Sequence, residues 1–252
     1  MNSKRFLIKL QYLGIRFHGV QKQPEHPSIQ ARVEKAIGPH VKTRFSSRTD
    51  AMVSALENYC LAMFDEAVEQ KYLEESLSKL PPDIRVLEIK EVPEHFTMLA
   101  HTKEKVYHYY FAFNEESLHP FCAPFMTLIR EELNLEVMKK GAEIFCGTHS
   151  FINYAYKPKP GTVFEREILK SEIVENTELS ANFFPKNTYC FKVKGQGFMR
   201  GQVRLMMGAL FRLGMGEITL LDLEKSLKRE DPHFVKWQAP ASGLVLQQTK
   251  LE

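Results

Sequence analysis

The chain has 252 residues, 44% hydrophobic and 26% charged, with a formal net charge of +3 and a sequence pI near 8.5. This is the make-up of an ordinary soluble globular protein, long enough for one large domain or two modest ones, and no run approaches the length of a bilayer-crossing helix. The small positive charge permits an anionic partner without requiring one. Four cysteines, Cys60, Cys122, Cys146 and Cys190, lie far apart without a Cys-x-x-Cys pair, so neither a disulfide framework nor a metal site is expected. The opening Met-Asn-Ser-Lys-Arg runs into an alternating strand without an apolar signal segment, which points to a cytosolic protein.

Residues 5 to 12 alternate, Phe6, Ile8, Leu10 and Tyr12 on one face, as a half-buried strand does. The loop from Leu13 to Pro24 combines two glycines with Phe17 and the side chains of Arg16, His18 and Lys22. That mixture suits contacts to phosphate and base, and a structural turn is the alternative. Ser28 caps a helix carrying Ile29, Val33, Ala36 and Ile37, stopped by Gly38 and Pro39. A strand is expected from about Ser54 to Phe64, a helix from Gln70 to Leu80 ending at Pro81-Pro82, and a strand through Ile84, Val86 and Ile89. From Lys103 to Phe113 an aromatic strand places Tyr107, Tyr109 and Phe111 on one face and His108 with Tyr110 on the other.

The stretch from Ser117 to Arg130 has no clear period and is the expected linker between a half spanning 1–113 and a half spanning 114–252. Asn134 caps a helix with Leu135, Met138, Ala142 and Phe145, ending at Gly147. The polar loop Lys157 to Gly161 follows, then strands near Arg166 to Val174 and Thr188 to Lys194. Thr219 caps a last helix, and a final strand follows Gly243. Both halves mix helices with alternating strands.

Two stretches carry chemistry. Ser46 to Ala55 sets Asp50 two residues from Arg48, directly before an apolar alternation, where a loop feeding a sheet holds a charged group rigidly and within reach. A surface ion pair, or a turn fixed by the Asp side chain, is the plainer reading. Lys194 to Leu210 runs strand, two glycines, helix, and a dinucleotide-binding turn must be weighed. Its spacing is Gly-x-Gly-x-x-x-Gly, and Tyr189 to Lys194 alternates where the parallel strand of that unit is continuously apolar. Arg200 and Arg204, four apart, are expected on one face near the positive end of that helix, where an anion must balance them.

Taken together, these stretches resemble the TruA-type tRNA pseudouridine synthases. Arg48-Thr49-Asp50 is similar to the family's Arg-Thr-Asp loop, Gly14 to Gln21 to its first-strand loop, and Lys105-Val106-Tyr107-His108-Tyr109 to its Lys/Arg-x-Tyr-x-Tyr strand. Gly147-Thr148-His149-Ser150-Phe151, Phe198 to Arg204, and Ala239-Pro240 with Gly243-Leu244 match its remaining motifs in order. One departure is Met52, where the bacterial pattern has glycine. A positive φ or a close approach of RNA at that place would make methionine strain the loop or narrow the entrance.

The resemblance implies an α+β fold of two similar halves, their antiparallel sheets joined into one extended sheet, helices packed on one side and the active-site cleft between halves. It implies isomerisation of uridine to pseudouridine in the anticodon stem-loop of tRNA, positions 38 to 40 by family habit, by a homodimer that needs no cofactor. Asp50 is then the catalytic aspartate, Arg204 its ion-pair partner, Tyr107 the ring beside the flipped uridine and Arg48 an RNA contact near the target. Arg16, His18, Lys22, Lys105, His149 and Arg200 are the further RNA-binding candidates. A non-catalytic tRNA-binding or chaperone relative, and a relative with other tRNA uridine targets, are the alternatives.

Overall fold

The computed structural model describes residues 3–114, 119–228, 231, 234 and 236–252, so Ser117 and Leu118 of the expected linker lie outside the described residues. The chain divides into two compact units, Met1–Lys103 with Val245–Glu252, and Glu104–Leu244.

The first unit contains β1 (Lys4–Tyr12), α1 (Ile29–Ile37), β2 (Lys42–Phe45), β3 (Ser54–Phe64), α2 (Gln70–Leu77), β4 (Ile84–Val92) and α3 (Met98–His101). β1 lies between β4 and β3 and is antiparallel to both, with Ile8 opposite Ile89 on one side and Cys60 on the other; β2 adds antiparallel to β3. The alternation of β1 buries Phe6, Ile8, Leu10 and Tyr12. α1 forms where expected because the Ser28 hydroxyl accepts a hydrogen bond from the Ala31 N–H at 3.2 Å, satisfying one of the orphan donors of its first turn. Its stripe Ile29, Val33 and Ile37 is buried, as are Leu73 and Leu77 of α2.

The second unit contains β5 (Thr102–Phe113, its first two residues in the first unit), β6 (Thr127–Ile129), α4 (Leu135–Ile144), β7 (Gly147–Ser150), β8 (Glu165–Glu175), β9 (Tyr189–Gly195), α5 (Gln202–Gly214) and α6 (Leu220–Ser226). β9 pairs antiparallel with β5 and with β8, and β7 extends β8 antiparallel. A strand antiparallel to both neighbours is not the parallel strand of a dinucleotide-binding unit, which removes that reading of the glycine turn. β10 (Leu244–Leu251) closes the chain by pairing Val245 and Leu246 parallel to Ser54 and Ala55 of β3, within the first unit. The fold is thus α+β with mostly antiparallel strands, and among the described residues no helix is long and apolar enough to cross a membrane.

Several elements escape the periodicity. β2, β6 and β7 are three or four residues long, too short to show a period, and β6 lies in the stretch read as linker. α5 begins at Gln202, so Arg200 precedes the helix and does not share a helical face with Arg204.

The core of the second unit forms where α5 meets β5. Phe211 packs edge-on against Tyr109 and Phe111, with ring centroids 6.0 and 5.3 Å away. The face alternation of β5 therefore holds, but His108 and Tyr110 are buried too, so the strand is covered on both sides. A Cβ at Gly208 of α5 would lie 1.8 Å from the Trp237 carbonyl oxygen, a distance that only the absent side chain permits. The segment ahead of the Ala239-Pro240 motif is thereby seated directly on the helix. Gly208→Ala should push this segment off the helix and lower the unfolding free energy by about 2–3 kcal/mol, read from a urea titration; a midpoint equal to wild type would contradict this packing.

Candidate functional site

Asp50 sits in a loop held from three directions. From behind, Asn58 of β3 is fully buried and uses its whole amide. Its Nδ2 donates to the Tyr12 hydroxyl and the Ser47 carbonyl, each at 3.0 Å, while its Oδ1 accepts from the Ser46 hydroxyl at 2.7 Å and the Ser47 N–H at 3.2 Å. The Tyr12 hydroxyl in turn lies 3.0 Å from the Thr49 hydroxyl. Buried polar groups that are this fully satisfied specify one arrangement, because any slip leaves donors without water or protein.

From the side, the loop after β1 is moulded onto the Asp50 loop. The Val20 N–H donates to the Thr49 carbonyl at 3.2 Å and the Met52 N–H to the Phe17 carbonyl at 3.0 Å. Two glycines make the approach possible: a Cβ at Gly14 would stand 2.1 Å from the Val53 carbonyl oxygen, and one at Gly19, φ +88°, 2.5 Å from the Thr49 carbonyl oxygen. The Gly14 N–H also donates to the Ser54 hydroxyl at 2.9 Å, which gives the serine of Ala51-Met52-Val53-Ser54-Ala55 a structural duty.

From the front, the chain reverses over Asp50–Val53, the Val53 N–H donating to the Asp50 carbonyl at 3.2 Å. Met52, the third residue of this turn, has φ +67° and is 40% exposed. Positive φ at that place alone is the mark of a type II turn, which favours glycine. The conditional raised by the sequence is met: methionine occupies a left-handed position and carries its strain.

Arg48 is exposed and forms no ion pair with Asp50, so the surface-pair reading of this stretch does not apply. Asp50 itself is half-buried. Arg16 pairs with Asp83 at 3.2 Å and lines a surface pocket of about 490 Å³ that also takes in Arg32 and Lys79. His18 stacks on His26, ring centroids 4.1 Å apart, and Lys22 meets Glu34 at 3.2 Å.

In the second unit Tyr107 is buried, edge-on to Phe198 at 5.2 Å. Lys105, two residues before it, is half-buried, and burial lowers its pKa to about 8. Arg204 lies in the first turn of α5. Its Nε donates to the Ala239 carbonyl at 2.7 Å while the Ala239 N–H donates back to the Arg204 carbonyl at 3.1 Å, so the guanidinium is aimed by the motif loop after Trp237. His149 serves its own turn, with Nε2 2.8 Å from the Cys146 carbonyl oxygen. Arg200 rests on an exposed ring, Tyr156, that the motifs do not include. Asn58 escaped the sequence reading, as did the role of the Tyr12 hydroxyl on a strand face read as apolar, although an asparagine inside the apolar alternation of β3 is the anomaly that flags the hub.

A family model described as tRNA pseudouridine synthase matches residues 142–250 of the chain. Among relatives, a tRNA pseudouridine synthase A of Staphylococcus carnosus is 30% identical over 254 residues, covering 98% of this chain and 91% of that one. A tRNA pseudouridine synthase A 2 of Bacillus cereus is 29% identical over 248 residues, covering 96% and 97%. The Staphylococcus aureus tRNA pseudouridine synthase A is 28% identical, covering 98% and 92%.

Asn58→Ala should cost about 2–3 kcal/mol of stability by stranding buried donors and acceptors and should lower turnover more than it weakens substrate binding; an unchanged thermal transition would refute the hub. Met52→Gly should raise stability by about 0.5–1 kcal/mol through relief of left-handed strain, whereas Met52→Ala should not. Equal unfolding midpoints for the glycine and alanine variants would show that the turn carries no such strain.

Proposed function

The chain belongs to the tRNA pseudouridine synthase A family, and from that premise we propose that it isomerises uridine to pseudouridine in tRNA with Asp50 as its catalytic group. The observation that supports this best is the immobilisation of the Asp50 loop by the Asn58 amide and the loop after β1. Catalysis gains when a reacting group is held in place before substrate arrives, since the ordering cost is met in folding.

The reaction breaks the N1–C1′ bond of uridine, turns the base and forms C5–C1′; N1 gains a proton and C5 loses one. Nothing else enters or leaves, so the chemistry calls for no cofactor. A carboxylate serves it as a nucleophile or as a base toward the sugar, and either role uses the ionised form. The target base must leave its stack to be reached, at a cost of a few kcal/mol that aromatic stacking and cationic contacts to phosphate offset.

On the motifs, Tyr107 is assigned as the ring beside the flipped uridine, Arg204 as the cation supporting the aspartate, and Arg48 as a contact near the target. Arg16, His18, Lys22, Lys105, His149 and Arg200 are proposed RNA contacts. The proposed substrate region is the anticodon stem-loop, positions 38 to 40, and the proposed assembly is a homodimer.

Tritium release from C5-labelled uridine in unmodified tRNA tests the reading. Wild type should release tritium, and Asp50→Asn should lower the rate by at least about a thousandfold, removing the only covalent or proton-transfer group assigned, while tRNA affinity stays within about threefold. Full activity in Asp50→Asn would remove the aspartate from the mechanism. A wild type that binds tRNA but releases nothing would favour a non-catalytic tRNA-binding protein.

A further inference from the structure

The chain leaves the core of the second unit abruptly after Ala155. Asn153 and Tyr154 are fully buried and fastened to Ser226: the Asn153 Nδ2 donates to its carbonyl at 2.7 Å and the Tyr154 hydroxyl lies 2.7 Å from its Oγ. From Tyr156 to Gly161 every residue is exposed. The emerging segment is tied at once to the turn before α5, because the Tyr156 N–H donates to the Arg200 carbonyl at 3.0 Å. Over the Tyr156 ring stand two cations, the Arg200 guanidinium 5.2 Å and the Lys157 ammonium 5.4 Å from its centroid. Lys159 follows on a turn closed by Thr162, whose N–H and hydroxyl both donate to the Lys159 carbonyl, at 3.1 and 2.7 Å.

Two observations point to an anion. Among the described residues, Lys157, Lys159 and Arg200 meet no carboxylate, nor do Lys140 and Lys186 of the same unit, but Lys157 and Arg200 are brought together on one ring. Two like charges gathered on one ring repel, and the arrangement gains when a negative group lies beside them. Lys157 also holds φ +46°, a left-handed backbone that costs a residue with a side chain about 1 kcal/mol or more. A strained lysine kept beside an exposed ring is a feature that packing does not account for, since its side chain is in solvent.

We infer that Tyr156, Lys157 and Arg200, with Lys159 beside them, form a binding site for the phosphates of an RNA backbone. The inference rests on the tRNA reading above and assigns part of that substrate's contact surface. The ring takes up the Lys157 ammonium and the Arg200 guanidinium without using their full set of N–H donors, so donors on both can meet phosphate oxygens. Because the ring restrains the cations beforehand, less side-chain freedom is lost on binding. Such contacts are made to the backbone, so they position the RNA without reading its sequence.

The test is the affinity of the full chain for unmodified bulk tRNA as a function of salt. The double variant Lys157→Gln/Arg200→Gln should bind about tenfold more weakly at low salt and lower the slope of log affinity against log salt by roughly 1 to 2, about one unit for each phosphate that the protein ceases to neutralise. Tyr156→Leu, which keeps both charges but removes the ring, should weaken binding by about threefold, and Tyr156→Phe, which keeps the ring, should match wild type. Lys170→Gln, from a cation already seated on a glutamate, serves as the control for a simple change of net charge. A double variant with the wild-type affinity and slope, or one indistinguishable from Lys170→Gln, overturns the site. A wild type that binds tRNA without releasing tritium overturns the enzyme reading and leaves the variants to decide this one; a wild type that binds no tRNA overturns both.

Discussion

The amide of Asn58 is the interaction on which the candidate site depends. It sits inside β3 with no solvent in reach, and apart from the neighbouring Tyr59 N–H the groups it satisfies belong to the segment leading to Asp50 or to Tyr12 behind it. A buried amide is costly unless fully paired and directional once it is, so it transmits the rigidity of the sheet to a loop that has no regular structure of its own. The adjoining loop then fits against it through backbone hydrogen bonds that Gly14 and Gly19 leave room for.

The second unit repeats this logic with different parts. Arg204 and Ala239 exchange hydrogen bonds in both directions, side chain to backbone and backbone to backbone, and Gly208 lets the carbonyl of Trp237 rest on α5. The Tyr109 hydroxyl donates to the Pro240 carbonyl at 2.8 Å, which ties the same loop to β5. Residues that a motif comparison marks for function thus also carry the local fold. Their substitution mixes loss of chemistry with loss of positioning.

Backbone strain is concentrated rather than spread. Apart from Asn114, an amino acid that tolerates the left-handed region, the described non-glycine residues with positive φ are Met52 and Lys157. One follows Asp50 by two residues, and the other bears a cation over the Tyr156 ring. The Met52 turn is held by its neighbours, through the Met52 N–H on the Phe17 carbonyl and the Val53 N–H on the Asp50 carbonyl, which is how strain persists in a folded chain.

The long elements were legible in the sequence because their signals are local. The alternation of β1, the Ser28 and Asn134 caps and the two-faced aromatic run of β5 follow from side-chain period and capping chemistry, which need only near neighbours in the chain. The Asp50 loop was legible as a motif, and the cost of Met52 as a condition on its φ. The structure had to supply what depends on residues far apart. β2, β6 and β7 exist only as additions to other strands, the chain end returns to pair parallel with β3, and Arg200 lies before α5 because the helix starts after Gly201. Asn58 escapes the sequence reading because its partner Tyr12, 46 residues earlier, comes within 3.0 Å of it only in the fold. Tyr156 escapes it likewise, because Arg200, which shares its ring with Lys157, lies 44 residues further along the chain. Composition and period determine which segments become helix or strand; which polar groups meet is decided by tertiary packing, because hydrogen bonds and cation–ring contacts act over a few ångströms that sequence separation does not reveal.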